Sequence, residues 1–434
     1  MSAIDQSNST VSWKQKMLPW VVCFSASLFF AYELLQLHVM NAISPLLMRD
    51  LGLNATQFGT LSSTYLLADV IFLLPAGILL DRFSVRKVIL TALFLCILGT
   101  IGFCKAQTLG FACLCHFLSG IGNAFCFLSC MMLISKWFPL EKQAFVMGLM
   151  ITMGMLGGVV AQLPFSILAE HFNWRGALFI DGLMGIGIFA LIYLFVKDAP
   201  RNSEVIGKET GVPFWTGIKR SVLNVHNICC GLYTGFMNLP LMIISAVWGT
   251  LFLTQVHHLS LVKSSVIVSM ICLGTIVGSP LFGWISDKIG RRIFPMLLGG
   301  IASIGVMLFI MLMREPSAEM LSALFFLLGF VTSSQVLGYP AITENNPPEL
   351  TGTSMGIAAL IIMGMPAFIQ PLSGKLLDWG WQGALVEGAP LYALSDFLRA
   401  FSIFPIGFLL ALVALSKVKE SRKIQEVDLR KASA

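Results

Sequence analysis

Glu33 and Gln36 stand one helical turn apart in a run of apolar residues, and Met40 and Ser44 continue the same face within about 80° of arc. An ionisable side chain in lipid costs at least ~2.5 kcal/mol, so Glu33 is expected to face a cavity or a partner. The chemistry open to it there is loading and releasing a proton, or hydrogen-bonding a solute alongside the Gln36 amide. A fixed structural hydrogen bond is the plainer alternative. His116, Ser119, Gly120, Asn123 and Phe127 form a second face. His116 is fit to hold an anion when protonated, to titrate in the physiological range, or to stay neutral between two helices. Tyr65 and Asp69 lie one turn apart, and Asp69 reads as a proton site or as a polar packing contact. Tyr233, Met237 and Pro240 share one face and Thr332, Gln335 and Tyr339 another, each either packing or a neutral hydrogen-bonding wall. His38, about 140° round the helix from Glu33, and Asp181 read as structural. His257 and His258 read as solvated loop residues.

The elements that must carry these residues are long apolar runs. Of the 434 residues 56% are hydrophobic and 12% charged, against roughly 25% charged in soluble domains, so most of the surface is expected to meet lipid. Runs fall at about 18 to 42, 55 to 80, 86 to 104, 108 to 136, 143 to 169 and 175 to 196. A second six fall at about 223 to 254, 264 to 284, 293 to 313, 318 to 341, 353 to 376 and 397 to 416. Each has the roughly 20 residues that cross a hydrocarbon core, and runs of this length suit helices rather than the ten-residue strands of a barrel. The expectation is an all-α integral membrane protein of twelve transmembrane helices in two six-helix bundles. Its divisions are 1–17, a terminal segment; 18–196, the first bundle; 197–222, a polar linker; 223–416, the second bundle; and 417–434, a tail. With both termini cytoplasmic, 21 of the 28 Lys and Arg fall on the inner side.

Several classes of function are disfavoured. The net charge of +6 is dispersed in short connectors, which does not make a nucleic-acid surface. The ten cysteines sit inside apolar runs with no CxxC and no histidine at metal-ligand spacing, so no metal and no catalytic residue is expected. No nucleotide-cradling GxxxxGK[ST], HExxH or GxSxG occurs, which argues against an enzyme and against ATP-driven transport.

The chain repeats itself. Gly77-Ile-Leu-Leu-Asp81-Arg82-Phe-Ser-Val-Arg86 aligns with Gly283-Trp-Ile-Ser-Asp287-Lys288-Ile-Gly-Arg291-Arg292 at an offset of 206, and Trp174-Arg-Gly-Ala-Leu with Trp381-Gln-Gly-Ala-Leu at 207. Two patches with nearly one offset indicate duplication of a six-span unit in parallel orientation, related by a pseudo-two-fold axis. These residues resemble the major facilitator superfamily, whose G-x-x-x-D-[RK]-x-G-[RK]-[RK] loop the second copy matches fully and the first matches except at Ser84 and Val85. The resemblance implies alternating access. Gly77 and Gly283 would allow close helix approach, and Asp81 and Asp287 would pair with Arg82, Arg86, Lys288 or Arg292, or face a helix N-terminus, beside Arg291. It also implies that the first, fourth, seventh and tenth spans line a cavity, so Glu33, Gln36, His116, Asn123, Tyr233, Gln335 and Tyr339 would bind solute. Glu33, Asp69 and His116 would couple protons. Relatives often carry Arg where His116 stands. The stretch Phe30-Ala-Tyr32-Glu33 through Leu47-Met-Arg-Asp50-Leu resembles proton-linked nutrient and organic-anion importers, including amino-acid transporters of intracellular bacterial pathogens. The resulting expectation is H+-coupled import of a small polar or anionic solute by a monomer in a bacterial inner membrane, without cofactors. Na+ coupling, drug efflux and a non-transporting sensor are the alternatives.

Overall fold

The structure, a computed structural model, describes residues 13–198, 214–313, 315–386 and 388–420. The terminal segment up to residue 12, most of the expected linker, the tail beyond 420 and the Asp81 side chain lie outside the described residues.

The first half comprises α1 (Trp13–Leu51), α2 (Ala55–Arg82), α3 (Val85–Phe103), α4 (Leu109–Trp137) and α5 (Leu140–Phe195). α6 (Phe214–Leu223) follows, so the region read as a linker ends in a short helix lying on the start of the eleventh span. The seventh span is composite: α7 (Val225–Met237), a π-helical stretch (Pro240–Trp248) and α8 (Gly249–Val256). Pro240 has no N–H to continue the ladder from α7, and the helix re-registers there. Next come α9 (Leu261–Ile289), α10 (Ile293–Leu312) and a tenth span made of α11 (Ala318–Thr332), a 3₁₀ turn (Ser333–Leu337) and α12 (Gly338–Asn345). α13 (Pro348–Gly380), α14 (Leu394–Phe401) and α15 (Ile403–Leu415) complete the chain. Between α13 and α14 the chain forms a two-residue hairpin, β1 (Leu385–Val386) with β2 (Ala389–Pro390), a small exception to the all-helical expectation.

Among the described residues, eleven helical segments are long and apolar enough to cross a membrane. One runs for 51 residues from Phe145 to Phe195, roughly 77 Å at the α-helical rise, which is more than two hydrocarbon thicknesses. Its backbone breaks at Asn173 (φ 61°, ψ 165°), where Oδ1 accepts the Trp174 N–H at 2.6 Å. Asn tolerates positive φ because its short side chain bonds locally. Counting this segment as two crossings gives the twelve runs read from the sequence. The corner is pinned by Trp174 and Arg175, whose side chains both reach Asp50 at the end of α1, while Arg175 also donates to Ala106 O at 2.6 Å.

Within the first half α1 lies on α5, and α2 and α3 on α4. In the second half α11 lies on α9, and α13 and α15 on α7. The halves meet where α2 runs along α13, α5 on α9, and α1 on the π stretch and α8. Neither α4 nor the tenth span has its main packing across the halves.

Candidate functional site

The polar residues of the first half converge inside the bundle. Glu33 on α1 is 0% exposed. Tyr65 on α2 places its hydroxyl 2.7 Å from Glu33 Oε2 and 2.9 Å from the Glu33 carbonyl oxygen, so its single proton is shared between two acceptors. Glu33 Oε1 has no partner and lies against Gly122 of α4, in the place a β-carbon there would take. One turn along α1, Gln36 donates to Asp181 Oδ2 at 2.5 Å, and Asp181 Oδ1 is also unpartnered. Tyr32 donates to the Asp181 backbone oxygen at 3.2 Å. Asp69, one turn beyond Tyr65, is buried with the Asn123 side chain beside its carboxyl. No Lys or Arg occurs between Lys16 and Arg49, Arg49 and Arg82, Lys105 and Lys136, or Arg175 and Lys197. Three buried carboxyls therefore share one bundle without an intramembrane cation.

The expected site residues divide into two groups. Glu33, Gln36 and Asp69 gather in this interior with Tyr65, and Asp181, read from sequence as structural, is joined to Gln36. His116 is buried between the rings of Tyr65 (5.3 Å between centroids) and Phe103 (5.6 Å). In the second half Tyr233 is also interior, donating to Met296 O at 2.7 Å with Ser334 Oγ 2.9 Å away. Thr332 bonds its own helix at Leu328 O. Asn123 on α4 and Gln335 and Tyr339 on the tenth span keep part of their surface open, and Gln335 donates to Asn238 at 3.1 Å.

Every hydrogen bond between the halves among the described residues lies at one end, remote from the chain termini. Asn41 Nδ2 donates to Gln162 Oε1 and to Thr250 Oγ1, each at 2.8 Å, and its Oδ1 accepts the Thr250 N–H at 2.8 Å. Gln162 donates to Ser245 O at 2.7 Å. Asp378, at the end of α13, accepts the first N–H groups of α2 from Ala55 (3.1 Å) and Thr56 (2.8 Å), the Thr56 hydroxyl (2.5 Å) and the Tyr392 hydroxyl (2.6 Å). Burial, and then the bond to Asp378, hold the Tyr392 hydroxyl above its ordinary pKa, so it stays a donor. Asn41, Gln162 and Asp378 were not singled out in the sequence. The signal for the first two is the same one that marked Glu33, a polar side chain inside an apolar run.

At the terminal end the repeated loops bond within their own halves. Arg292 pairs with Asp287 (2.5 Å) and Glu344 (2.8 Å), and its guanidinium is held above its usual pKa, first by the Glu344 bond. Glu420 accepts the Arg292 N–H at 2.5 Å, and Asp198 accepts the equivalent Arg86 N–H at 2.9 Å. Lys288 lies over the Trp284 ring, while Arg82 and Arg291 are exposed. The expectation of close helix approach at Gly77 and Gly283 is corrected: nothing stands within 4 Å of a β-carbon at either. Neither glycine is therefore in close contact with a neighbouring helix.

Two helical bundles, hydrogen-bonded to each other at one end and with three acids buried inside the first, make a fold of membrane-spanning helices. The sequence profile of the Major Facilitator Superfamily matches residues 20–371 and 232–426, and the chain belongs to that superfamily. The chain is 25% identical to the Membrane sensor protein UhpC of Salmonella typhimurium over 83% of its length and 87% of the relative's. It is 23% identical to the Probable hexose phosphate transport protein of Chlamydia muridarum over 90% and 92%. Its fold matches that of a bacterial homologue of the human lysosomal transporter Spinster, in an inward-facing, unoccupied conformation, with a TM-score of 0.76 at 16% identity, covering 93% and 98%.

Proposed function

We propose that the protein is an H+-coupled importer of a small polar solute, working by alternating access in a bacterial inner membrane with both termini cytoplasmic. The observation that carries this is Glu33: an acid sealed inside one half, one oxygen bonded to Tyr65 and the other unpartnered. Burying such a group is costly, and a proton that comes and goes with the conformational cycle is a reason to keep it. Asp69 and Asp181 are the nearest groups of the same kind. The end where no hydrogen bond joins the halves among the described residues carries the basic loops, which the positive-inside rule assigns to the cytoplasm, and we read the cavity as open on that side. The solute would lie between Asn123 and the Gln335–Tyr339 face, with the buried acids behind α4. No cofactor is required.

The test is uptake into proteoliposomes under an imposed inward proton gradient, compared with exchange of labelled solute at equal pH. Glu33→Gln is expected to abolish gradient-driven accumulation and to retain exchange. Accumulation equal to wild type in that variant would remove the proton role. Binding of solute with neither exchange nor accumulation would favour a sensor, the activity for which the Salmonella relative is named.

A further inference from the structure

We infer that the solute of this cavity carries no net negative charge, an inference that rests on the transport reading above and narrows it. Among the residues read as the solute-binding face, Asn123, Gln335 and Tyr339 keep part of their surface open, and they are amides and a phenol, all uncharged. All Lys and Arg of the chain lie outside the interiors of the spans: in the second half none occurs between Arg220 and Lys263, Lys263 and Lys288, Arg292 and Arg314, or Arg314 and Lys375. The acids buried inside the first half are Glu33, Asp69 and Asp181.

The two buried histidines do not supply the missing cation. His38 Nδ1 is bonded to Leu34 O at 2.8 Å, and His116 is enclosed by aromatic rings. A phosphate or dicarboxylate dianion taken from water into this site would meet no counter-charge, and an unpaired buried ion costs several kcal/mol. The usual partner for such groups is a bidentate Arg. A neutral polyol finds donors and acceptors here, and a zwitterion brings its own counter-charge. The chain thus parts from the relative named for hexose phosphate.

The cavity charge can be read without knowing the solute. Gln335→Cys and, separately, Asn123→Cys in the purified full-length protein are treated at physiological salt with two methanethiosulfonates, one bearing trimethylammonium and one sulfonate. Labelling is followed on the peptide that contains the new cysteine. The expected ratio of cationic to anionic rates equals or exceeds that for a free thiol. A ratio reversed in favour of the sulfonate by about tenfold, the lower range of electrostatic focusing in a charged cleft, would overturn the inference. Thermal stability of the wild-type chain gives the second arm: glucose 6-phosphate and inorganic phosphate are expected to leave it unmoved, and stabilisation by either counts equally against the proposal. Neither readout depends on transport, so a chain that moves nothing, which would end the reading above, still reports the charge its cavity accepts.

Discussion

Glu33 has a different neighbour on each of its carboxyl oxygens, and the difference is set by two residues on two other helices. Tyr65 supplies a donor to Oε2, and Gly122 supplies room for Oε1. A methyl group at residue 122 would need the volume that the carboxyl occupies, so Gly122→Ala is expected to push Glu33 off its Tyr65 bond. The cost is that of a buried polar group losing its partner, about 1–3 kcal/mol, read as a lowered melting temperature together with loss of gradient-driven uptake. Gly77→Ala is the matched control, since a β-carbon there meets open space, and it should leave thermal stability within about 0.5 kcal/mol of wild type or slightly raised. Equal behaviour of the two alanines would mean that the α1–α4 contact at Glu33 is looser than its geometry. The cost of burying ionisable groups made Glu33 and Asp69 legible in sequence. The direction in which His116 and Tyr233 point was not, because helix rotation about its own axis depends on partners far away in sequence: Tyr233 is fixed by Met296 and Ser334, 63 and 101 residues distant.

α2 and α13 join the halves end to end. The first N–H groups of a helix lack intrahelical partners, and α2 satisfies its own from two sources: Asn54 accepts the Gln57 N–H at 2.8 Å, and Asp378 accepts those of Ala55 and Thr56 from across the interface. A carboxylate at a helix N-terminus is favoured by the helix dipole as well as by the bonds. Opening the far end must break this cap. Asp378→Asn removes the charge and part of the acceptor capacity while keeping the shape, and is expected to weaken closure by about 1–3 kcal/mol, shifting the equilibrium by roughly 5- to 150-fold toward a state open at the far end. Spin-label distances between the start of α2 and the end of α13 would lengthen; an unchanged distribution would show that the cap contributes nothing to closure. The spans themselves were legible from the length of their apolar runs. The cap was not, because its two sides are more than 320 residues apart, whereas the turn at Asn173 falls in the gap between the runs read at 143 to 169 and 175 to 196.

At the scale of the molecule, the hydrogen bonds that join the two halves lie at one end. Internal contacts fill each half, the repeated loops bond to acids of their own half, and the hydrogen bonds between halves gather around Asn41 and Asp378 at the far end. Such an arrangement permits rocking about the middle, with the far-end bonds exchanged for contacts at the terminal end. If that motion is the transport cycle, a covalent bond at the far end must stop it without disturbing either half. Asn41 and Thr250 provide the place, since their side chains meet at 2.8 Å and each belongs to a different half. The double variant Asn41→Cys with Thr250→Cys, oxidised in proteoliposomes, is expected to lose uptake almost completely and to regain it on reduction, while each single variant keeps its activity under oxidant. The ten native cysteines are unpaired within the spans, so the single variants also control for their oxidation. Retained uptake in a chain shown by mass to be fully cross-linked would mean that solute crosses without the far end opening, and rocking of the halves would have to be abandoned as the mechanism.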